Sequence, residues 1–180
     1  IAWSIGGNEI GHPPEPFADV FAAARSVGLH VMAHAGEVVG AESVWGAVHD
    51  LHVERIGHGI RSIEDPALVA YLRDHAIALD ICLSSNSQTG AVTAKEHHPF
   101  RQLYDSNLLL TINSDDPTFF QTTLTDEYRH AVYDFGLKAD DLCRLVLYSI
   151  RASFLPIAEK TALLHRVEMD LAMLRTELGV

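Results

Sequence analysis

The 180 residues are 48% hydrophobic, with a mean hydropathy of +0.09 and a formal net charge of −11. That composition excludes a disordered chain and gives enough apolar material for one domain with a substantial core. No apolar run reaches the length needed to span a bilayer. The acidic balance excludes nucleic acid as a bulk partner, because a polyanion would be repelled.

In chain order, short apolar segments alternate with helix-like stretches. The predicted strands are Ile1–Ile5, Leu29–Ala33, Arg55–Ile56, Ile77–Cys82 and Leu108–Ile112. The predicted helices between them are Pro16–Val27, Ala41–Leu51, Asp65–Ala76 and Pro99–Ser106, each with apolar residues at helical spacing. Asp65-Pro66 reads as a helix start, with Asp as the cap and Pro in the first helical position. After residue 120 the pattern becomes helical only, over Thr123–Phe135, Ala139–Ile150 and Pro156–Leu178. Strand alternating with helix implies an α/β fold with a parallel sheet, and runs rich in Val, Ile and Leu fit strands covered on both faces. No linker or low-complexity segment divides the chain, so residues 1–180 are expected to form a single domain. Ile1 is not Met, and "IAWSIGGNE" enters as if in mid-structure. The expectation is a chain whose N-terminal portion is missing. Cys82 and Cys143 stand far apart, outside any Cys-x-x-Cys pattern. They suit a reducing, cytoplasmic compartment and provide no frame for a structural metal.

The unusual residues fall at one place in each unit. Every apolar run ends in polar chemistry: "GGNE" at 6–9, "HAGE" at 34–37, "GHG" at 57–59, "SSNSQTG" at 84–90 and "NSDD" at 113–116. All follow the C-terminal end of a predicted strand, the edge where parallel α/β folds build their sites. His34 and Glu37 supply a neutral nitrogen ligand and a carboxylate able to handle protons, with Gly36 allowing a tight turn between them. A satisfied core histidine is the competing account of His34. His58, flanked by Gly57 and Gly59, either approaches another group closely or sits in an ordinary turn. Asp115 and Asp116 repel each other at the end of a buried strand. A solvated Asp-Asp-Pro turn would tolerate them. So would a cation, with one carboxylate on the metal and the other turned toward a ligand. His plus Asp suits zinc in a hydrolytic site, yet two ligands are too few, because a catalytic zinc usually has at least three from protein. The remaining histidines are read as solvated or structural; of these, His12 and the His97-His98 pair lie in loops.

Taken in order, "GGNE", "HAGE", "ERIGHG", "SSN" and "NSDDP", with "RASFLP" near the end, resemble the C-terminal half of the adenosine deaminase family of metal-dependent amidohydrolases. The resemblance covers nearly all of residues 1–156. It implies a partial (β/α)₈ barrel, roughly strands four to eight. It also implies His34 and Asp115 as ligands of one Zn²⁺, and Glu37 as proton donor to the purine ring nitrogen. His58 would orient the attacking water, Asp116 would accept a hydrogen bond from the purine, and the Gly7 backbone would meet the other edge of the ring. The family's remaining ligands form a His-x-His motif on the first strand, and no His-x-His occurs in this sequence. "CLSSN" at 82–86 also departs from the pattern, since Pro is usual where Leu83 stands. The implied partner is a small-molecule purine nucleoside, with no nucleic acid and no membrane, and the oligomeric state is left open.

Adenosine is the expected substrate, with zinc-dependent hydrolytic deamination as the reaction. Aminodeoxyfutalosine is the alternative, because "GGNEIGHPP", "SNSQTGAV" and "TTLTDEY" resemble that menaquinone-pathway branch too. Adenine comes third, since that branch is expected to carry Asp where Gly57 stands. Two readings of other kinds compete with these. One is a catalytically incomplete fragment, inactive alone, because a half barrel exposes strand edges. The other is an amidohydrolase acting on a cyclic amide through a bridging modified lysine, but no lysine stands at a strand tip.

Overall fold

The structure, a computed structural model, describes residues 1–94 and 97–179. Five parallel strands form one sheet in sequence order: β1 (Ala2–Ile5), β2 (His30–Ala35), β3 (Arg55–His58), β4 (Ala78–Ile81) and β5 (Leu110–Ile112). Helices α1 (Ala18–Ser26), α2 (Ala41–His49), α3 (Pro66–Asp74) and α5 (Phe100–Asp105) return the chain between strands. A short helix α4 (Leu83–Gln88) follows β4, and α6 (Pro117–Phe120), α7 (Leu124–Tyr133), α8 (Ala139–Ala152) and α9 (Ile157–Leu178) complete the order. This is part of a (β/α)₈ barrel, as expected.

Alternation along the strands separates two environments. Val31, Ala33 and Ala35 of β2, Ile56 of β3, Leu79 and Ile81 of β4 and Leu110 of β5 are buried against Phe21, Val44, Leu68, Leu72, Phe100 and Leu103 of the helices. Full burial of a Leu, Ile or Phe stabilises by roughly 1.5–3 kcal/mol, so this sheet–helix layer carries the fold. On the opposite face, His34, Gly57, Asp80 and Thr111 occupy one continuous rung across β2 to β5. That face is polar. Arg55 Nη2 donates to Asp80 Oδ1 at 2.6 Å, Thr111 Oγ1 donates to the same oxygen at 2.7 Å, and Arg55 Nη1 reaches the Ala152 carbonyl at 3.2 Å.

The strand ends differ from the sequence reading in a way that matters. β2 and β3 run on to Ala35 and His58, so His34 and His58 belong to strands rather than to the loops beyond them. The "SSN" segment, expected as an irregular tip, is the body of α4. Leu83 takes its first helical position, where Pro also fits, and the helix forms with Leu83 buried. Asp65 caps α3 as expected: Oδ1 accepts from the Ala67 amide at 2.9 Å, and Oδ2 accepts from Trp45 Nε1 at 2.8 Å, tying α3 to α2.

One anchor of α4 was not foreseen. Glu127 of α7 is fully buried, and its Oε2 accepts from the Ser84 amide at 3.1 Å, an N-terminal amide that no intrahelical carbonyl can satisfy. Its Oε1 accepts from Thr122 Oγ1 at 2.7 Å. Removing this carboxylate leaves buried donors unpaired, which costs about 1–3 kcal/mol. Glu127→Ala in the protein carrying this chain is therefore expected to lower the urea unfolding midpoint by a corresponding amount, and an unchanged midpoint would remove this role.

Candidate active site

Chain register brings the chemistry-bearing residues to one edge. The inward side of β2 carries His34, paired in register with Gly57 of β3, while Ile5 pairs with Ala33 and so leaves Gly6 next to His34 on the other flank. A Cβ on Gly57 would lie 2.5 Å from His34 Cδ2, and one on Gly6 would lie 3.0 Å from its Nδ1. The imidazole fits only because both neighbours lack a side chain.

Simple alternation would send His58 to the helix side, because it pairs in register with Ala35. A left-handed backbone at His58, φ 64°, breaks the alternation. Its ring then meets that of His34 edge-on, with centroids 4.8 Å apart. Asp115 is likewise left-handed, φ 55°. Non-glycine residues in this region carry roughly 1–3 kcal/mol of strain and persist where surrounding contacts over-determine them. Here two of them face each other, with His58 Nε2 3.9 Å from Asp115 Oδ2 and 3.5 Å from Glu37 Oε2.

Helix α4 supplies the supports. Ser85 Oγ donates to Asp115 Oδ2 at 2.6 Å. Asn86 Nδ2 donates to His58 Nδ1 at 3.1 Å and to Glu37 Oε1 at 3.3 Å. Thr89 Oγ1 lies 3.3 Å from the same Glu37 oxygen. Behind Asn86, His98 Nε2 lies 3.2 Å from Asn86 Oδ1, and the Phe100 amide donates to His98 Nδ1 at 3.0 Å. The stretch "SSNSQTG", which holds Ser85, Asn86 and Thr89, is singled out by the sequence without a role for these residues. Ser85, Asn86 and Thr89 stand at i, i+1 and i+4, a signal visible only once the segment is taken as helical; His98 was grouped with the structural histidines.

A cavity of about 490 Å³ is lined by His34, His58, Cys82, Asn113, Asp115 and Tyr128, among others. Gly7 lines a second cavity, of about 230 Å³, together with Gly6, Asn8, Glu9 and His12. His34 lines both. Thus His34, His58, Glu37 and Asp115 come together, while Gly7 lines the other cavity that His34 borders. Asp116 is exposed and starts α6 by accepting the Phe120 amide on its carbonyl, 2.9 Å away.

Could these residues hold a cation? Donor atoms of His58, Cys82 and Asp115 lie within 4.8 Å of one another. Burial, and then the carboxylates of Asp115 and Asp80, push the Cys82 thiol well above its ordinary range, which keeps it protonated near neutrality. Burial also pushes His58 down, against the opposing pull of Glu37, which favours the neutral ring. Imidazole nitrogen with carboxylate oxygen fits a zinc-type ion, and His34 and Asp115 border the same cavity. A complete protein set of three or four ligands is not assembled among the described residues.

Glu9, quoted within "GGNE" but given no role, holds the "HAGE" loop. Its Oε1 accepts from the Gly36 amide, and its Oε2 accepts from Val38 at 2.7 Å and Val39 at 2.9 Å. Burial works to raise its pKa, but the Ser43 hydroxyl and these amides bond the ionised form and hold it below the ordinary range.

Comparison with known proteins settles the kinship. The adenosine deaminase family model matches residues 1–170. The chain belongs to the adenosine deaminase family. The Klebsiella pneumoniae (strain 342) adenosine deaminase is 39% identical over 92% of this chain and 50% of its own length. The Streptomyces avermitilis aminodeoxyfutalosine deaminase is 40% identical over 93% of this chain and 47% of its own. Among solved structures, the adenine deaminase from Arthrobacter aurescens superposes with a TM-score of 0.90 at 33% identity, covering 95% of this chain and 52% of that one. An amidohydrolase from Burkhoderia ambifaria with bound zinc superposes with a TM-score of 0.91 at 26% identity, covering 98% and 50%. The chain therefore spans about half the length of the relatives it matches.

Two outcomes test the site's construction in the protein carrying this chain. Gly57→Ala is expected to displace the His34 ring and to cost about 1–3 kcal/mol by overpacking; a crystal structure with that ring unmoved would contradict the close-fit account. Because the Glu9 pKa is depressed, its contribution is present above the ordinary glutamate value, about 4.3, and is lost as pH falls through the lower folded value. Glu9→Gln should flatten the fall of the urea midpoint as pH drops below about 4.3, and an unaltered slope would exclude Glu9 as a source of it.

Proposed function

We propose that the protein carrying this chain is a zinc-dependent hydrolytic deaminase of an adenine-containing nucleoside, converting adenosine and water to inosine and ammonia. The observation that carries this reading is the convergence of Glu37, His58, Asp115 and His34 at one strand edge, with two of them held in left-handed backbone. His34 and Asp115 would hold the zinc, with further ligands from outside these residues. Bound there, zinc would lower the pKa of a coordinated water from 15.7 to about 7 and so supply a nucleophile near neutrality.

The chain's own residues account for the rest. Deamination needs the purine ring to accept negative charge, and a proton delivered to the ring nitrogen beside the amine-bearing carbon makes that possible. Glu37 is half-buried beside His58, which supports its making this transfer when protonated. His58 would hold the attacking water in line, Asp116 would accept a hydrogen bond from the purine, and the Gly7 backbone would meet the ring's other edge. Ammonia then leaves.

Aminodeoxyfutalosine remains the second reading, favoured by the 40% identity to the Streptomyces avermitilis enzyme. Adenine stays third because Gly57 stands where that branch is expected to carry Asp, although an adenine deaminase shares the fold closely. Ammonia release from adenosine, aminodeoxyfutalosine and adenine at steady state decides among them, and no release from any of the three would overturn the proposal. Glu37→Gln is expected to leave zinc content unchanged while kcat falls by at least about a hundredfold. Near-normal turnover in that variant would remove Glu37 from the chemistry.

A further inference from the structure

We propose that His98 and Asn86 are positioning residues that fix which nitrogen of His58 carries its proton, placing that proton on Nε2, on the cavity side. The inference rests on His58 acting as assigned above, but its geometry stands independently of the substrate.

The direction of the chain of hydrogen bonds is set at a group that cannot reverse. A peptide N–H only donates, and the Phe100 amide donates to His98 Nδ1 at 3.0 Å. His98 Nδ1 is therefore bare. Burial, then the neighbouring His58, hold the His98 pKa at about 4, so near neutrality the ring has one proton, and it is on Nε2. That N–H points at Asn86 Oδ1, 3.2 Å away. The Asn86 side chain is fully buried, and with its oxygen engaged by His98 its NH₂ must face the other way. There it meets two acceptors, His58 Nδ1 at 3.1 Å and Glu37 Oε1 at 3.3 Å, one for each hydrogen. His58 Nδ1 accepts. Its own proton then lies on Nε2, facing Glu37 Oε2 at 3.5 Å and Asp115 Oδ2 at 3.9 Å.

The consequence is functional. A neutral His58 with this tautomer presents a donor to the cavity rather than a free lone pair, so it orients an attacking oxygen by donating to it. Asn86 meanwhile ties the same imidazole to the carboxylate that must deliver the ring proton. One amide thus sets the spacing of both groups, and reversing it would place an oxygen against two acceptors.

The test uses the protein that carries this chain, with histidines labelled with ¹⁵N, and reads the ring nitrogens near pH 7 both with zinc and without it. The His58 signals are assigned by their loss in His58→Gln. The unmodified protein is expected to show a protonated Nε2 and a bare Nδ1 at His58. Asn86→Asp keeps an acceptor for His98 but presents one to His58 as well. It should move the His58 proton to Nδ1 and lower kcat by about a hundredfold or more, since a wrong tautomer costs up to ~10⁴ in a comparable acid–base pair. KM should change less than about threefold. His98→Gln keeps a donor for Asn86 and should retain the original pattern, whereas His98→Leu should lose it. A proton on Nδ1 in the unmodified protein overturns the proposal without any variant, as does an unmoved proton in Asn86→Asp. Absence of deamination with the Nε2 proton in place would instead defeat the proposed function and leave the relay standing.

Discussion

Parallel register is the constraint from which the site follows. Because β2 to β5 lie side by side in one direction, the residues after each apolar run arrive at the same edge, however far apart they are in sequence. Register alone, however, would bring His34 inward and carry His58 away with Ala35. The left-handed turn at His58, and its counterpart at Asp115, redirect two side chains into the space that register opens. Strain of this kind needs surroundings that hold it. The surroundings here are specific: Asn86 on the His58 ring, Ser85 on the Asp115 carboxylate, and Glu127 holding the start of the helix that bears both supports.

That dependence makes α4 the link between packing and chemistry. It is six residues long, too short to be stable in isolation. Its first residue, Leu83, is buried, and a fully buried carboxylate from α7 satisfies one of its first amides. With those in place, Ser85, Asn86 and Thr89 point at Asp115, His58 and Glu37. Damage at Glu127 would travel to the site through backbone rather than through any direct contact.

The sequence made some of this legible and hid the rest for identifiable reasons. Apolar runs of five or six residues announced four of the strands, because a buried parallel strand needs apolar side chains on the face that meets the helices, while β3 was marked only by the pair Arg55–Ile56. The polar tips announced the edge. His58 looked like a loop residue because two glycines flank it, yet the strand continues through it and only its φ angle departs. α4 was hidden because Ser-Ser-Asn-Ser has weak helix propensity and strong turn character; a carboxylate 43 residues downstream outweighs that preference, and no local pattern reports it. His98 carried no motif at all. Its role depends on a backbone amide two residues on and a side chain twelve residues back, so it is readable only in three dimensions.

The answer to why two adjacent acids end a buried strand is that they do not share one environment. Both residues are exposed, but Asp115 turns its carboxylate to the cavity under its left-handed backbone and is bonded by Ser85, whereas Asp116 begins α6. Solvent at both residues screens their mutual repulsion before any cation is considered, so the pair can exist in the folded chain without one. What a cation would add is a reason for the particular direction Asp115 takes, toward His58 and the cavity that His34 borders. One imidazole, His34, and one carboxylate, Asp115, make a donor set of the right chemical type but incomplete number, and His58 is committed on Nδ1 to Asn86. The close grouping of His58 with Glu37 and Asp115 is therefore assembled by the fold itself.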